Sequence, residues 1–372
     1  MTPPSRLPAA DSSRPDAGTD AHVIELPTPD DCHDLVAVAA SAGGVEALKV
    51  LVADLPADLP AAVLVALHLP KDAQSLLAQI LARKSRLPVV VAVHGAPLRR
   101  GHVYVATPDS HLLVRDDRIL LGQGPRENGH RPAHDAMLRS VALAAGPRAV
   151  GVVLTGLLDD GAAGLAAVQR YGGTCIVQEP ADSEFPSMPR AALAAVPAAR
   201  SAPLHALAKE VARAVEEPAA GPVPHVDDAQ RHLDEVELSS AERGSPVMAD
   251  GRTPGEPSPF SCPDCHGVLN HVPDNDLMRF RCRTGHAWTS QSLAAQQEEQ
   301  VEEALWIALR VLEERADLSR RLAGEAKESS RDWSSVHFSR RAEEADRSAA
   351  LIRRVLDEEL SSADRALPAT GP

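Results

Sequence analysis

The sequence predicts an α/β protein: a doubly wound, mostly parallel sheet, followed by a small zinc-ribbon-like segment and a C-terminal α-helical hairpin. Three observations predict this. From Leu35 to about Val215, short apolar runs alternate with helical patterns, the rhythm of strand–helix units. Runs such as "AVGVVLTG" are apolar on both strand faces, which suits a parallel sheet covered on both sides. Past residue 260 a Cys/His cluster precedes two Ala/Glu/Arg/Leu-rich stretches with helical spacing.

In chain order, residues 1–33 are a Pro/Ser/Asp-rich tail without a basic-then-apolar leader, expected to be disordered. The main domain spans 34–215. Its strands are expected at 35–40, 62–67, 88–93, 103–106, 111–114, 118–121, 149–154 and 173–177. Its helices are expected at 45–54, 72–83, 134–145, 161–170, 189–195 and 203–215. The interval 103–121 is too short for a crossover helix, so it should hold an antiparallel hairpin. Residues 216–259 carry seven prolines and ten acidic residues against three arginines; they are expected to form an extended, self-repelling linker. The Cys/His segment spans 260–290. The hairpin spans 291–362, with one apolar stripe on Val301, Ala304, Leu305, Ala308, Leu312 and Ala316. A second stripe runs through Phe338, Ala342, Ala345, Ala349, Ile352 and Leu356, and the two helices join near "AKESSRDWSS". Residues 363–372 form a second tail.

A net charge of −14 disfavours nucleic acid as a partner, since such binding rests on cations neutralising phosphates. Aromatics at 2% leave few platforms for base stacking. No apolar run approaches the ~20 residues a membrane helix needs, so no membrane insertion and a cytoplasmic location are expected. Of five cysteines, Cys262, Cys265 and Cys282 fall within 21 residues, which in a cytosolic chain suggests metal rather than disulfides. Cys32 and Cys175 carry no readable role.

Three turns place chemistry at strand ends. In "VAVAASAGGVEAL" a buried strand ends at Ser41, and Gly43 and Gly44 let the backbone turn into a helix. Ser41 there suits a nucleophile, an anion ligand at a helix N-terminus, or a plain turn. In "VLVALHLPKD", His68 follows a second apolar strand. In "AVGVVLTGLLDDGAAGL", Asp159 and Asp160 follow a third, where an aspartate also makes a good helix cap. Ligands bind beyond the carboxyl ends of strands in open parallel sheets. Ser, His and Asp together at that edge are the nucleophile, base and orienting carboxylate of a serine hydrolase. Their chain order, Ser then His then Asp, and the elbow "AASAG" disfavour a lipase-like esterase, which runs Ser, acid, His around G-x-S-x-G.

The stretches "ASAGGVEAL", "ALHLP", "GHVYVATPDSHLLV", "GHRPAHDAMLRSVA", "GVVLTGLLDDGAAGLAAV" and "SMPRAALAA" resemble, in order and spacing, the catalytic domain of CheB-type protein-glutamate methylesterases of bacterial chemosensory systems. The resemblance covers residues 35–215, about half the chain. It implies a Ser-His-Asp triad of Ser41, His68 and Asp160; Asp160 is preferred to Asp159 because it directly precedes the glycine. It implies hydrolysis of glutamate methyl esters on methyl-accepting chemoreceptor helices, with glutamine deamidation in some members, and no cofactor for catalysis. Backbone N–H groups near Ala42 and Leu157 would form the oxyanion hole. His130 and Arg131 would line the substrate cleft or serve a hydrogen-bond network at a helix start, and the same choice holds for Met188 and Arg190. His134 and Asp135 are expected in a helix's first turn.

There are departures from the family pattern. Leu158 stands where chemotaxis members usually carry glycine, and Ala42 where threonine is frequent. Thirty-odd residues before the domain are too few for the receiver domain such members carry, so relief of autoinhibition by phosphorylation in cis is not expected. Leu158 and the missing receiver domain favour one competing expectation, a catalytically weak regulatory or binding protein that keeps the fold, which the intact Ser41, His68 and Asp160 disfavour; the second competing expectation is a hydrolase of another ester or amide.

The segment "FSCPDCHGVLNHVPDNDLMRFRCRTGHAW" spells C-x2-C-x16-C-x3-H through Cys262, Cys265, Cys282 and His286. That donor set suits structural, tetrahedral zinc with no open position; His266 and His271 are alternative ligands, and a metal-free thiol remnant is the competing reading. "GVLNHV" and "LMRFRC" should pair as a hairpin turning at "PDND". The C-terminal part is expected to dock on another chemosensory or regulatory protein, or to fold back and regulate access to Ser41.

Overall fold

The computed structural model describes residues 34–71, 75–217, 225–243, 254–272, 274 and 277–366; the two expected tails (apart from 363–366), Cys32 and part of the "PDND" turn lie outside them. The first part of the chain runs β1 (Leu35–Ala40), α1 (Gly44–Asp54), β2 (Ala62–Leu67), α2 (Leu77–Ala82), β3 (Val89–Val91) and β4 (His102–Val105). It continues β5 (His111–Arg115), β6 (Arg118–Gly122), α3 (His134–Ala145), β7 (Ala149–Val153), α4 (Ala162–Arg170), β8 (Thr174–Gln178), α5 (Ser187–Ala195), β9 (Arg200–Ala202) and α6 (Leu204–Glu216). Then come α7 (Asp228–Arg243), β10 (Glu256–Ser261), β11 (Val268–Val272), β12 (Arg279–Cys282), β13 (Ala287–Thr289), α8 (Ser290–Glu328) and α9 (Asp332–Ala366).

Seven strands form one sheet in the order β3-β4-β2-β1-β7-β8-β9, and every pairing in it is parallel. Strand side chains alternate between faces, and here both faces are covered. Leu35, Ala37 and Ala39 point into one core with Met137, Leu138, Leu165 and Val168 of α3 and α4. Val36, Val38 and Ala40 point into the other with Leu48 and Leu51 of α1, Leu81 of α2 and Val211 of α6. This is why these strands are uninterrupted apolar runs. The hairpin expected within 103–121 is β5–β6, a separate antiparallel pair, while β4 joins the main sheet.

Past β1 the strand order switches direction, with β2 on one side and β7 on the other. The ends of these three central strands carry Ser41, His68 and the Thr155–Asp160 turn. At the first turn, Gly43 has φ +72°, a region that strains residues with a Cβ. Gly44 packs so tightly that a Cβ would sit 2.8 Å from both Ala40 Cβ and Leu67 Cδ1. Bare backbone here lets α1 close down on the sheet beside Ser41.

The expectation of an extended linker over 216–259 is corrected by α7 over Asp228–Arg243, while 218–224 and 244–253 lie outside the described residues. The acidic side chains of α7 are not self-repelling, because cations distant in sequence neutralise them. Glu237 is buried among Arg139 (2.9 Å), Arg279 (2.9 Å) and Arg281 (3.2 Å), and Asp234 accepts from Tyr171 Oη at 3.0 Å and from Arg170. Leu238 and Ala241 pack on Leu113, Ala133 and Ala136. β10–β13 form a four-stranded antiparallel sheet whose small core holds Cys262, Leu269, Phe280, Cys282, Trp288 and Leu293. α8 and α9 are joined at 329–331 and share Leu309, Ala349 and Leu356 as a seam. Among the described residues, no helix is long and apolar enough to cross a membrane.

Candidate active site

Ser41, His68 and Asp160 come together at the carboxyl ends of β1, β2 and β7. The strands fix their spacing: Ser41 N–H donates to Thr155 O (3.0 Å), and His68 N–H to Ala40 O (3.4 Å). Ser41 Oγ lies 3.1 Å from His68 Nδ1, and His68 Nε2 lies 2.8 Å from Asp160 Oδ2. Both are hydrogen-bond distances. With an ionised Asp160 accepting at Nε2–H, Nδ1 carries the lone pair that accepts from the serine hydroxyl. The imidazole is thus used the opposite way round from the usual triad, where Nε2 faces serine.

Asp160 is 2% exposed and accepts four hydrogen bonds. His68 Nε2–H and His134 N–H (2.7 Å) bond Oδ2; Asn128 Nδ2–H (3.0 Å) and Asp135 N–H (3.2 Å) bond Oδ1. Burial alone would raise its pKa, but nearby His134 and the hydrogen bond and charge of His68 hold it well below the usual carboxylate range. Burial first, then the neighbouring His134, pushes His68 down to about 3, against the pull of Asp160. His68 is therefore a neutral base at neutral pH.

The His68 ring is sandwiched. His130 stacks on one face at 3.6 Å between centroids and His134 at 3.8 Å, with interplanar angles of 14° and 5°. His134 does open α3 as expected, yet its ring and N–H also hold the site, a role its position in "HRPAHD" does not reveal. Asp135 is buried, donates to Asp160 through its N–H, and accepts from Gly161 N–H (2.9 Å) and Gly164 N–H (2.7 Å). Burial and the adjacent Asp160 push it up to about 8. Asp159, whose pKa burial raises, does not touch His68; it accepts from Thr289 Oγ1 (2.7 Å) and Ser292 Oγ (2.6 Å).

Ala42 and Leu157 lie on the two turns that flank Ser41. Between them, a Cβ on Gly156 would be 2.9 Å from Ser41 Cβ and 2.7 Å from Met188 Sδ, so glycine is required for this approach. The next turn residue, Leu158, holds φ +57°, a strained conformation for a side chain of this size. Met188 is buried beneath Gly156, and its N–H donates to Gly156 O at 3.0 Å; Arg190 is exposed. Arg131 braces the site: it bonds Asp109 Oδ1 (2.6 and 3.0 Å) and the carbonyls of Gly124 (2.8 Å) and Gln123 (3.1 Å). A cleft of about 370 Å³ opens beside His68, lined by Lys71, Asp109, Arg126, His130 and Arg131 among others. A larger cleft of about 900 Å³ lies beyond Asp159, between α4, α5 and the C-terminal segment, and neither Ser41 nor His68 lines it.

At the second candidate site, donor atoms of Cys262, Cys265, Cys282 and His286 all lie within 4.8 Å of one another. Cys265 Sγ is 3.6 Å from Cys282 Sγ, and Cys282 Sγ is 3.5 Å from His286 Nδ1. A tetrahedron with zinc–sulfur bonds of about 2.3 Å has edges of about 3.7 Å, so the donors fit zinc. His266 and His271 stand outside this cluster; the ring of His271 packs edge-on to Phe280.

Similar proteins include protein-glutamate methylesterase/protein-glutamine glutaminase 1 of Xanthomonas euvesicatoria pv. vesicatoria, 41% identical over 181 residues, or 48% of this chain and 50% of the relative. The corresponding protein of Symbiobacterium thermophilum is 41% identical over 184 residues, 49% of this chain and 51% of its own length. The chain thus spans about half the length of the curated relatives it matches. The crystal structure of the Thermotoga maritima CheB methylesterase catalytic domain aligns with a TM-score of 0.47 and 28% identity, covering 48% of this chain and 97% of that one. The CheB methylesterase family model matches residues 36–211, the stretch that carries Ser41, His68 and Asp160.

Proposed function

We propose that this chain is a protein-glutamate methylesterase that hydrolyses glutamate methyl esters on methyl-accepting chemoreceptors. The observation that carries the reading is the Ser41–His68–Asp160 relay, at 3.1 and 2.8 Å, inside the segment that matches the family model. Ser41 Oγ attacks the ester carbonyl as its proton passes to His68 Nδ1. Asp160 stabilises the imidazolium through Nε2–H. N–H groups near Ala42 and Leu157 bind the oxyanion, each donor worth about 2.7–4 kcal/mol. Collapse expels methoxide, which takes the proton from His68 and leaves as methanol. Water, deprotonated by the same nitrogen, then cleaves the acyl-enzyme and returns Ser41. A glutamine side chain would follow the same path and release ammonia. Lys71 and Arg126 beside the cleft suit the acidic surface of a glutamate-rich helix.

The same reading gives the C-terminal segment a structural zinc on Cys262, Cys265, Cys282 and His286. The metal would supply folding energy that a six-residue core does not. One zinc per chain, lost together in Cys265→Ser and Cys282→Ser, is the expected analysis; zinc content unchanged in both contradicts it. The catalytic reading is tested by methanol release from methylated receptor fragments, comparing the native chain with Ser41→Ala.

A further inference from the structure

The loop 126–130 joins the triad to the C-terminal sheet. Asn128 sits in it, 5% exposed, at φ +52°, a conformation asparagine tolerates better than most residues. Its Nδ2 donates to Asp160 Oδ1 (3.0 Å) and to Asp135 Oδ2 (2.9 Å). Its Oδ1 accepts from Thr289 N–H of β13 at 2.9 Å. The amide has one orientation: the ionised Asp160 carboxylate only accepts and the Thr289 N–H only donates. Asn128 N–H also donates to Ala287 O at 2.8 Å, Glu127 bridges Ala287 in parallel, and Arg281 pairs with buried Glu127 at 2.8 Å. Gly129 faces the Trp288 ring, which a Cβ there would meet at 3.6 Å. The same loop carries His130, whose ring covers His68.

We propose that Asn128 is a positioning residue for Asp160, and that strand β13 of the Cys/His segment holds it there. The C-terminal segment is then a structural part of the esterase centre rather than a tethered accessory. The proposal rests on the reading of Ser41, His68 and Asp160 as catalytic. The alternative, a loop that merely fills space, predicts no change in turnover once the fold is intact.

Asn128→Asp keeps the shape, the tolerance for positive φ and the acceptor for Thr289 N–H. It replaces the donor that faces Asp160 and Asp135 with a carboxyl. Around it, Asp160 comes from the β7–α4 turn, Asp135 and His134 from α3, and Asp159 from behind Thr289; Arg139 and Arg279 are the cations acting on Asp135. Protonated, the new carboxyl still donates; ionised, it repels Asp160. Hydrolysis of 4-nitrophenyl acetate by the full chain should show kcat reduced about 10- to 100-fold at neutral pH, the span for losing one hydrogen bond to a charged group. KM should change little, and activity should recover as pH falls, while native kcat stays flat over that range. In a second pair, Thr289→Val and Thr289→Pro both lose the hydroxyl, but only proline loses the N–H; φ at Thr289 is −79°, which proline accepts. Thr289→Pro should fall well below Thr289→Val in kcat. Native turnover with a flat pH profile in Asn128→Asp, or equal kcat in the Thr289 pair, overturns the proposal. Should Asn128→Asp fail to fold, the Thr289 pair decides. Ser41→Ala run in parallel separates the two levels: retained turnover there overturns the triad, whereas its loss beside an unaffected Asn128→Asp overturns only the positioning role.

Discussion

Replacing Asp160 by asparagine tests the site through one atom. The shape is unchanged, but every group that touches the carboxylate is a donor: His68 Nε2–H and His134 N–H on Oδ2, Asn128 Nδ2–H and Asp135 N–H on Oδ1. An amide nitrogen must therefore face donors in either orientation. Facing His68, it forces the proton onto Nδ1, and the imidazole then has no lone pair for Ser41. Facing Asn128 and Asp135, it leaves buried donors unsatisfied, at about 1–3 kcal/mol each, and the imidazolium still lacks its counter-charge. In the Ser-His-Asp template the wrong tautomer costs about 10⁴ in kcat, close to 5.5 kcal/mol of barrier. A fall of about 10³–10⁴ is expected for Asp160→Asn, with KM little changed. Methanol release gives kcat, and urea unfolding monitored by circular dichroism checks the fold. A folded variant within tenfold of native kcat would refute the reasoning, because Asp160 would not be orienting His68.

Two further outcomes follow from the same geometry. His68, with its pKa pushed down to about 3 from 6.5, stays an unprotonated base as pH falls through 6.5. The acid limb of kcat/KM should lie well below that value, and a half-activity point near 6.5 would contradict the burial argument. The linked stability has the sign of a depressed group: it is present above pH 6.5 and is lost as pH falls towards about 3. Glu237→Gln should destabilise by about 3–5 kcal/mol in urea unfolding, because it strips the shared counter-charge from buried Arg139, Arg279 and Arg281; an unchanged midpoint would remove α7 from the ion network.

The central sheet was legible because buried parallel strands are uninterrupted apolar runs; β1 and β2 match their expected bounds. Ser41 and His68 stood out for the same reason, each directly following such a run, whereas Asp160 lies beyond Thr155 and Asp159 in the turn after β7. Edge strand β9, "RSA", was not: it has no strand-forming composition and exists by pairing with β8. α7 was missed because its acidic residues become buried only through arginines of α3, α4 and β12. β10 and β13 were missed because Pro257 and Pro259 obscure one and the other is three residues long. The triad's supports were beyond sequence reasoning too. Asn128, His130 and His134 meet Asp160 and His68 from a loop and a helix start with no periodic signal, and Thr289 arrives from 161 residues away.

The central claim is that Ser41 is the nucleophile of a glutamate methylesterase, and methanol release from methylated chemoreceptor fragments by the native chain and by Ser41→Ala tests it most directly. Release by the native chain that disappears in Ser41→Ala is the predicted result. Equal release by both, or none by a folded native chain, would contradict it.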